Sequence, residues 1–584
     1  MFKSIKSFMS NIPVMLECLV NGPLIFLHAM YLGRQMPKWL TTEFIQTVDA
    51  ISIFVIPLIL IIGLVFYYRR VTDLDFFLRK HVFTLIVLIP ILISTGDIEF
   101  TFWLASAHLL STILTLAEVD KKPLLFISPA DKKSRKSKLF SLFSLRPAQM
   151  VFFSFFAVII TGAFMLMLPI SANEGVRVPF IDALFISTSA TCVTGLASLS
   201  IINTFSIFGQ VVIAILMEIG GLSIMTLYAS MAIFLGQSLE MKDRLMMMDV
   251  LDASNLEQLL SEILNIAKYA LFIQLWGMVI LTMAFTFEGF DFSTALYYGF
   301  FHSISAFCNA GFALFNNNLE SFATSPLIHI TIAILIILGG LGFMVLREIT
   351  EVLAGKRKIS HFTLHSKVVL TTTSVLLCTG AIFIFFGEFL NTLDSFTLWE
   401  KIQISFFQST TLRTAGFNSI PFGSLHAHTI FIMILFMFVG GSPGSTAGGI
   451  KTTSLAILYE SIRTTLKGRN QVVIFRRKIS SSLVVKTTAL AFLSIVSVST
   501  VLVIMLKVEP KHDFLSLFFE VVSAFGTVGL SLGITPFLSD AGKFVIVIMM
   551  FVGRIGPLTL LLAMPSRRYV DQGVNYPEGR ILIG

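Results

Sequence analysis

Long apolar runs separated by short polar stretches dominate the chain, and their lengths follow a repeating order. An apolar run at 149–170 is followed by a short segment at 181–191, a glycine-containing loop and a second long run at 205–234. The order recurs three more times, with first runs near 263–287, 366–387 and 484–507 and return runs near 326–346, 428–465 and 542–566. A bilayer-spanning helix needs about 20 mostly apolar residues, and roughly eleven or twelve such spans fit along the chain. The short segments, about a dozen residues each, cannot cross, so they must enter the membrane and return. Upstream lie apolar stretches at 12–32, 50–68, 76–95 and 98–117. Glu17, Asn21 and Gly22 interrupt the first, which leaves three or four spans in that block.

These runs predict an all-α polytopic membrane protein: four fused helix–pore loop–helix repeats around a pseudo-fourfold pore, preceded by extra N-terminal transmembrane helices. The expected segments are residues 1–120 for the N-terminal helices and 121–147 for a basic cytoplasmic linker. The repeats then occupy 148–240, 263–355, 366–466 and 484–566, and 567–584 form a cytoplasmic tail.

Composition agrees with a membrane setting: of 584 residues, 55% are hydrophobic and only 13% charged. Soluble domains run near a quarter charged. The net charge of +8 does not point to a nucleic acid, because the basic residues cluster in particular loops between apolar runs. Arg347, Lys356, Arg357, Lys358 and Lys367 share one loop, and Arg463, Lys467, Arg469, Arg476, Arg477, Lys478 and Lys486 share another. By the positive-inside rule these loops and the 121–147 linker are cytoplasmic, and the short segments enter from outside. The N-terminal apolar stretch has no small-residue cleavage site after it and reads as retained.

Each short segment ends in a related tetrapeptide: Cys192-Val193-Thr194-Gly195, Cys308-Asn309-Ala310-Gly311, Arg413-Thr414-Ala415-Gly416 and Gly526-Thr527-Val528-Gly529. The four glycines lie 116, 105 and 113 residues apart, each followed by Leu196, Phe312, Phe417 or Leu530. Irregular backbone at membrane depth is tolerated only where protein or a water-filled cavity covers it. Glycine lets such a strand turn its carbonyls toward a common axis, where they can replace the hydration shell of a potassium ion. The preceding short helix would aim the negative end of its dipole at the cation. Asp182, Asp291, Glu400 and Asp513 near the helix starts would suit the positive ends. Close helix packing explains any single glycine as well, but it does not require four matched segments.

The return runs carry a second recurrence: Ile219-Gly220-Gly221-Leu222, Leu338-Gly339-Gly340-Leu341, Val439-Gly440-Gly441-Ser442 and Val552-Gly553-Arg554-Ile555. In the first two, a helix kink is sufficient explanation. The third continues as Gly440, Gly441, Ser442, Pro443, Gly444, Ser445, Thr446, Ala447, Gly448 and Gly449, a composition no stable helix would use. Lying beneath the tetrapeptides, this loop is the expected gate. Arg554 sits at the matching depth in the fourth repeat, where an arginine costs about 2.5–3.5 kcal/mol on insertion scales. It could repel cations, hold the loop through its carbonyls, or form a structural salt bridge. Arg413, at the head of the third tetrapeptide, would oppose a cation if it faced the path; it is expected to turn away and pair with a carboxylate such as Glu520.

Other patterns carry less. Gly440-Gly441-Ser442-Pro443-Gly444 matches a nucleophile elbow but lacks its strand-to-helix setting and its His and acid partners. The stretch from Gly444 to Thr452 resembles a phosphate-binding loop, yet Ile450 interrupts its Gly-Lys pair. Cys18, Cys192, Cys308 and Cys378 have no metal-ligand or disulfide spacing. His361 and His365 lack a third ligand, and His302, His426 and His428 carry no assigned role. No enzymatic activity or bound cofactor is expected.

From Pro147 to Gly584 the chain resembles the membrane subunit of Ktr-type potassium transporters, in the Trk/Ktr/HKT superfamily. The resemblance rests on Phe180-Ile-Asp-Ala-Leu-Phe through Val193-Thr-Gly-Leu, Arg413-Thr-Ala-Gly-Phe, the Gly440–Lys451 loop, Met550-Phe-Val-Gly-Arg-Ile-Gly-Pro and the terminal Tyr576-Pro-Glu-Gly-Arg-Ile-Leu-Ile-Gly. It implies potassium uptake across the plasma (inner) membrane, with Gly195, Gly311, Gly416 and Gly529 as filter glycines, Gly440–Gly449 as gate loop and Arg554 as pore arginine. It also implies a homodimer and a separate cytosolic nucleotide-binding ring that regulates it. Gly195 leans toward potassium, since some sodium-favouring plant relatives carry serine there. A sodium-conducting or sodium-coupled transporter of the same fold is the alternative. Extra spans in residues 1–120 depart from the Ktr core.

Overall fold

A computed structural model describes residues 147–222, 256–469 and 471–557, with isolated positions between 20 and 88. The expected 1–120 block therefore lies almost wholly outside the described residues, as do the linker up to 146, the ends of the first and fourth repeats, and the 567–584 tail. The chain divides into two compact units, one of residues 1–143, 165–178 and 204–209, the other of 144–164, 179–203 and 210–584. In the first, Ile56, Leu60 and Leu88 form a small apolar cluster. There Asn173 N–H donates to Thr204 O at 2.9 Å and Ser206 N–H to Ser171 O at 3.0 Å.

The described elements follow the alternation of long and short apolar runs. The first repeat comprises α1 (Pro147–Met167), α2 (Phe180–Thr191) and α3 (Ile207–Gly221). The second comprises α4 (Leu256–Phe287), α5 (Phe292–Phe307), α6 (Pro326–Leu341) and α7 (Phe343–Leu353). The third contains α8 (Leu364–Glu388), α9 (Leu398–Thr411), α10 (Ala427–Met437) and α11 (Thr452–Leu466). A hairpin of β1 (Val473–Ile474) and β2 (Arg477–Lys478) leads to the fourth, with α12 (Ser481–Val508), α13 (Phe514–Gly526) and α14 (Asp540–Ile555).

Among the described residues, Asn265–Phe287, Leu364–Glu388 and Ser481–Val508 are long and apolar enough to cross a membrane unbroken. In the second and third repeats the return helix is shorter than the apolar run that encodes it, because a glycine-bearing segment interrupts it. α6 and α7 meet at Gly342 with a bend of 111°, where φ is +90° and a side chain would be strained. The kink expected at Gly339-Gly340 thus falls slightly later, and α6 is continuous through both glycines.

Gly339 serves a different purpose: a methyl group there would overlap the carbonyl oxygen of Phe307, the last residue of α5. Gly220 meets Thr191 O and Gly553 meets Phe525 O in the same way. In three repeats the first glycine of the return helix thus seats its backbone on the carbonyl four residues before the tetrapeptide glycine.

Three of the four short helices start at a side-chain cap. Asp291 and Asp513 accept from Thr294 and Ser516 N–H as N-caps, and Thr397 forms a reciprocal capping box with Glu400. Each groups its helix's free N–H donors around an oxygen acceptor. Return and short helices then pack in cyclic order: α6 against α9, α10 against α13, α14 against α2. α3 meets α5 where Tyr297 donates to Gln210 at 2.7 Å.

Candidate functional site

The four tetrapeptides adopt one backbone conformation. Their second residues, Val193, Asn309, Thr414 and Thr527, have φ of 57°, 59°, 64° and 50°, and their fourth, Gly195, Gly311, Gly416 and Gly529, have φ of 98°, 71°, 78° and 87°. Positive φ at a β-branched residue is a true outlier, of the kind that costs about 1–3 kcal/mol and clusters at functional sites. The same two positions depart in all four copies. Alternating the backbone's hand lets successive carbonyls face one way, whereas an ordinary strand alternates them.

Each glycine also faces the next tetrapeptide. A side chain on Gly195 would meet Ala310 O at 2.5 Å, one on Gly311 would meet Ala415 O at 2.6 Å, and one on Gly416 would meet Val528 O at 2.9 Å. Gly529 closes the circuit against Thr194 O. The four loops therefore meet around one axis, and no side chain larger than hydrogen fits at their fourth position.

Hydroxyls of the short helices hold this strained backbone from behind. Ser189 Oγ accepts from Gly195 N–H at 3.0 Å and Ser523 Oγ from Gly529 N–H at 3.1 Å. Thr411 Oγ1 accepts from Phe417 N–H at 2.8 Å, and Ser305 Oγ donates to Phe312 O at 2.8 Å. On the side opposite the 438–451 segment a cavity of about 230 Å³ opens above the glycines, lined in part by Asn316, Asn318, Asn418, Ser531 and Thr535. Asn318 reaches down to donate to Gly416 O at 3.2 Å.

Beneath the tetrapeptides, residues 438–451 leave the helix entirely and pack among the repeats. Gly440 N–H donates to Ile450 O at 2.9 Å, closing the base of the loop. Ser442 and Thr446 N–H donate to Gly340 O and Gly339 O at 3.0 and 3.2 Å, and Gly444 O accepts from Phe343 N–H at 3.1 Å. Thr446 Oγ1 donates to Phe307 O, and Gly448 and Gly449 lie against Thr527 and Gly526 O. The Ser442 hydroxyl pairs with Thr452 Oγ1 at 3.0 Å inside the protein.

Arg554 adds a side-chain hold on this loop. Its guanidinium donates to the carbonyls of both Thr446 and Gly220, joining the loop to the end of α3. Lys451, just past the loop, donates to Ala447 O at 2.7 Å.

One expectation fails. Arg413 is buried, but it does not pair with Glu520, and its Nε and Nη2 have no hydrogen-bond partner among the described residues. The Glu520 carboxylate is already engaged: Ser531 donates to it at 2.8 Å and Thr535 at 2.5 Å. Hydroxyls 11 and 15 residues further along reach it.

Three groupings had no sequence signal. Asp182, expected only to complement a helix dipole, receives Lys543 Nζ at 2.6 Å. Glu218 accepts from Gln274 at 2.7 Å and from the Cys308 thiol at 3.3 Å, linking the first two repeats behind the tetrapeptides. His302 accepts from Leu314 N–H at 3.3 Å, stacks on Phe315 and bonds Tyr298 O through Nδ1. For the first two, lone residues far apart in sequence give no period or spacing by which to pair them.

The sequence profile of the TrkH family, described as a cation transport protein, matches residues 126–572. The chain belongs to this family. Its relatives include the Ktr system potassium uptake protein B of Bacillus subtilis, 37% identical over 77% of this chain and 99% of that protein. The potassium/sodium uptake protein NtpJ of Enterococcus hirae is 36% identical over 75% of this chain and 98% of that one. The potassium transporter TrkH of Vibrio parahaemolyticus superposes with a TM-score of 0.58 at 16% identity, covering 88% of this chain and 98% of its own. At that identity the superposition speaks to fold. This TrkH-family chain is accordingly a mostly helical membrane transporter.

Proposed function

We propose that the chain takes up potassium across the plasma membrane, with the four tetrapeptides as its selectivity filter and Gly440–Gly449, held by Arg554, as its gate. The observation that carries this reading is the closed circuit of Gly195, Gly311, Gly416 and Gly529 against the carbonyls of Ala310, Ala415, Val528 and Thr194. Carbonyl oxygens in such a ring can stand in for water around a monovalent cation. The names of relatives sharing about a third of its residues support potassium as the cargo.

Conduction needs an open axis, and residues 440–449 cross the space below the filter. A loop tied by backbone hydrogen bonds and one arginine can move as a piece without unfolding the helices around it. Regulation would then act on this loop from the cytoplasmic side, through a separate subunit of the kind the word "system" implies for the Ktr relatives. Two copies of the chain are expected to assemble as a homodimer, each with its own pore.

Rubidium uptake into a host lacking its own potassium transporters tests the reading. Uptake should appear with this chain and its cytosolic subunit and vanish in Gly195→Ser or Gly529→Val; absence of uptake from correctly inserted protein would refute it. A sodium-conducting or sodium-coupled transporter is the second reading, favoured by the similarity to the potassium/sodium uptake protein. Reversal potentials in mixed salts separate the two.

A further inference from the structure

We propose that the β1–β2 hairpin is a binding site for anionic phospholipid headgroups, with Phe475 inserted at the bilayer surface. Val473 pairs with Lys478 and Ile474 with Arg477, which leaves Phe475 and Arg476 as a two-residue turn. Both have positive φ, 47° and 63°. That is the turn type for which Asn-Gly is the default, because both central residues must adopt the left-handed region. Placing Phe-Arg there is costly, and such strain persists where the side chains are needed.

The hairpin is rigidly aimed. Ile474 is buried with Val368 and Ile457, against Leu364, Ala456, Ile479 and Val484. These residues anchor it to the starts of α8 and α12 and to α11. With Ile474 turned inward, Val473 and the turn residue Phe475 face outward, 43% and 51% exposed. Arg476, Arg477 and Lys478 are also exposed, as are Lys467 and Arg469. None of these five makes an ion pair among the described residues.

Location decides between lipid and a soluble partner. The hairpin lies between the end of α11 and the first residue of α12, a spanning helix. The outward face of α11 carries Tyr459, Ile462 and Leu466, exposed by 64%, 62% and 82%, together with Arg463, which pairs with Glu460 at 2.8 Å. These sit three and four residues apart, on one face. A face that mixes an aromatic, two aliphatic side chains and an arginine suits the interfacial layer, so the hairpin that follows begins at the headgroups. Clusters of basic residues immediately cytoplasmic of a span attract anionic lipid, each adding about a fivefold preference. An aromatic ring flanked by cations suits that interface, apolar body inward and charges at the phosphates.

The test uses the full chain purified from mixed phosphatidylcholine and phosphatidylglycerol, with retained lipid read by native mass spectrometry. Wild type should retain phosphatidylglycerol preferentially. Arg476→Gln/Arg477→Gln/Lys478→Gln should lower that preference by about tenfold or more. Phe475→Asn/Arg476→Gly supplies the ideal turn, so it should fold at least as well and still lose retention, which separates lipid binding from stability. In vesicles, the fluorescence added by Phe475→Trp should be quenched by lipids brominated on their upper acyl carbons. Unchanged retention in the charge-removing and ideal-turn variants, or an added indole fluorescence that the brominated lipids fail to quench, overturns the proposal. So does retention that is unchanged while capture of an acidic cytosolic protein is lost.

Discussion

Lys543 Nζ lies 2.6 Å from Asp182 Oδ1, an ion pair between residues 361 apart that ties the last return helix to the first short helix. Both side chains are at most one-tenth exposed. It fastens the junction where the ring of repeats must close between its ends. Removing one partner of a buried pair leaves the other charge stranded and costs about 3–5 kcal/mol. Lys543→Met should therefore lower the unfolding midpoint in detergent and reduce the amount of inserted protein. Asp182→Leu/Lys543→Met should recover much of that loss, since an apolar pair leaves no stranded charge. Equal damage in the single and double variants would count against a charge-based account.

What the sequence disclosed and what it hid divide along one physical line. Features encoded by local period were legible: four runs, four short segments, four tetrapeptides ending in glycine. The conformation of Val193, Thr414 and Thr527 was not, since nothing about a β-branched residue advertises positive φ; only their neighbouring glycines did. The non-helical stretch at 440–449 could be read because ten consecutive residues of unhelical composition interrupt an apolar run. Arg413 was misjudged because a charge balance suggested a carboxylate partner, whereas hydroxyls from Ser531 and Thr535 had already claimed Glu520. Glu218 reaching Gln274 and Cys308 is a product of ring closure, which no window of sequence contains.

Gly339 in a return helix and Gly423 in the turn before another offer a sharp contrast between a crowded and an open position. A methyl group at Gly339 would overlap Phe307 O, while at Gly423 nothing lies within 4 Å. Overpacking typically costs about 1–3 kcal/mol, and here backbone rather than a flexible side chain would have to yield. Gly339→Ala should lower the unfolding midpoint and, by pushing the carbonyl end of α5, disturb cation selectivity. Gly423→Ala should leave both near wild type. A harmless Gly339→Ala would contradict the packing described above.

Arg554 bridges two carbonyls that belong to different repeats, Thr446 O in the loop and Gly220 O in α3. A planar guanidinium can reach both at once, whereas a lysine ammonium is a single point on a flexible stem. Arg554→Ala removes both the tether and a positive charge from the proposed path, so rubidium flux should rise several-fold while selectivity stays unchanged. Arg554→Lys should restore the charge but not the bridge, giving an intermediate flux. Reduced flux in Arg554→Ala, with protein amount unchanged, would argue that the residue supports conduction instead.

Acid sensitivity should originate at the outer starts of the short helices. Asp291 is exposed, and hydrogen bonds from Ser293 and Thr294 hold its carboxyl down from the usual 3.8 to about 2. Glu400 is lowered by Thr397, and Asp513 by Ser516. A carboxylate whose pKa is depressed by folding stabilises the fold above its unfolded value, and that contribution fades as pH falls through the folded one. Thermal stability should therefore be flat from neutral pH down to about 4 and then decline toward about 2, the interval set by Asp291. Asp291→Asn retains an oxygen that can accept from Thr294 N–H but cannot titrate. Its neutral-pH midpoint should fall by about what wild type loses in acid, and its own acid decline should be shallower. An identical decline in Asp291→Asn and in Asp291→Asn/Asp513→Asn would place the acid-labile groups elsewhere in the fold.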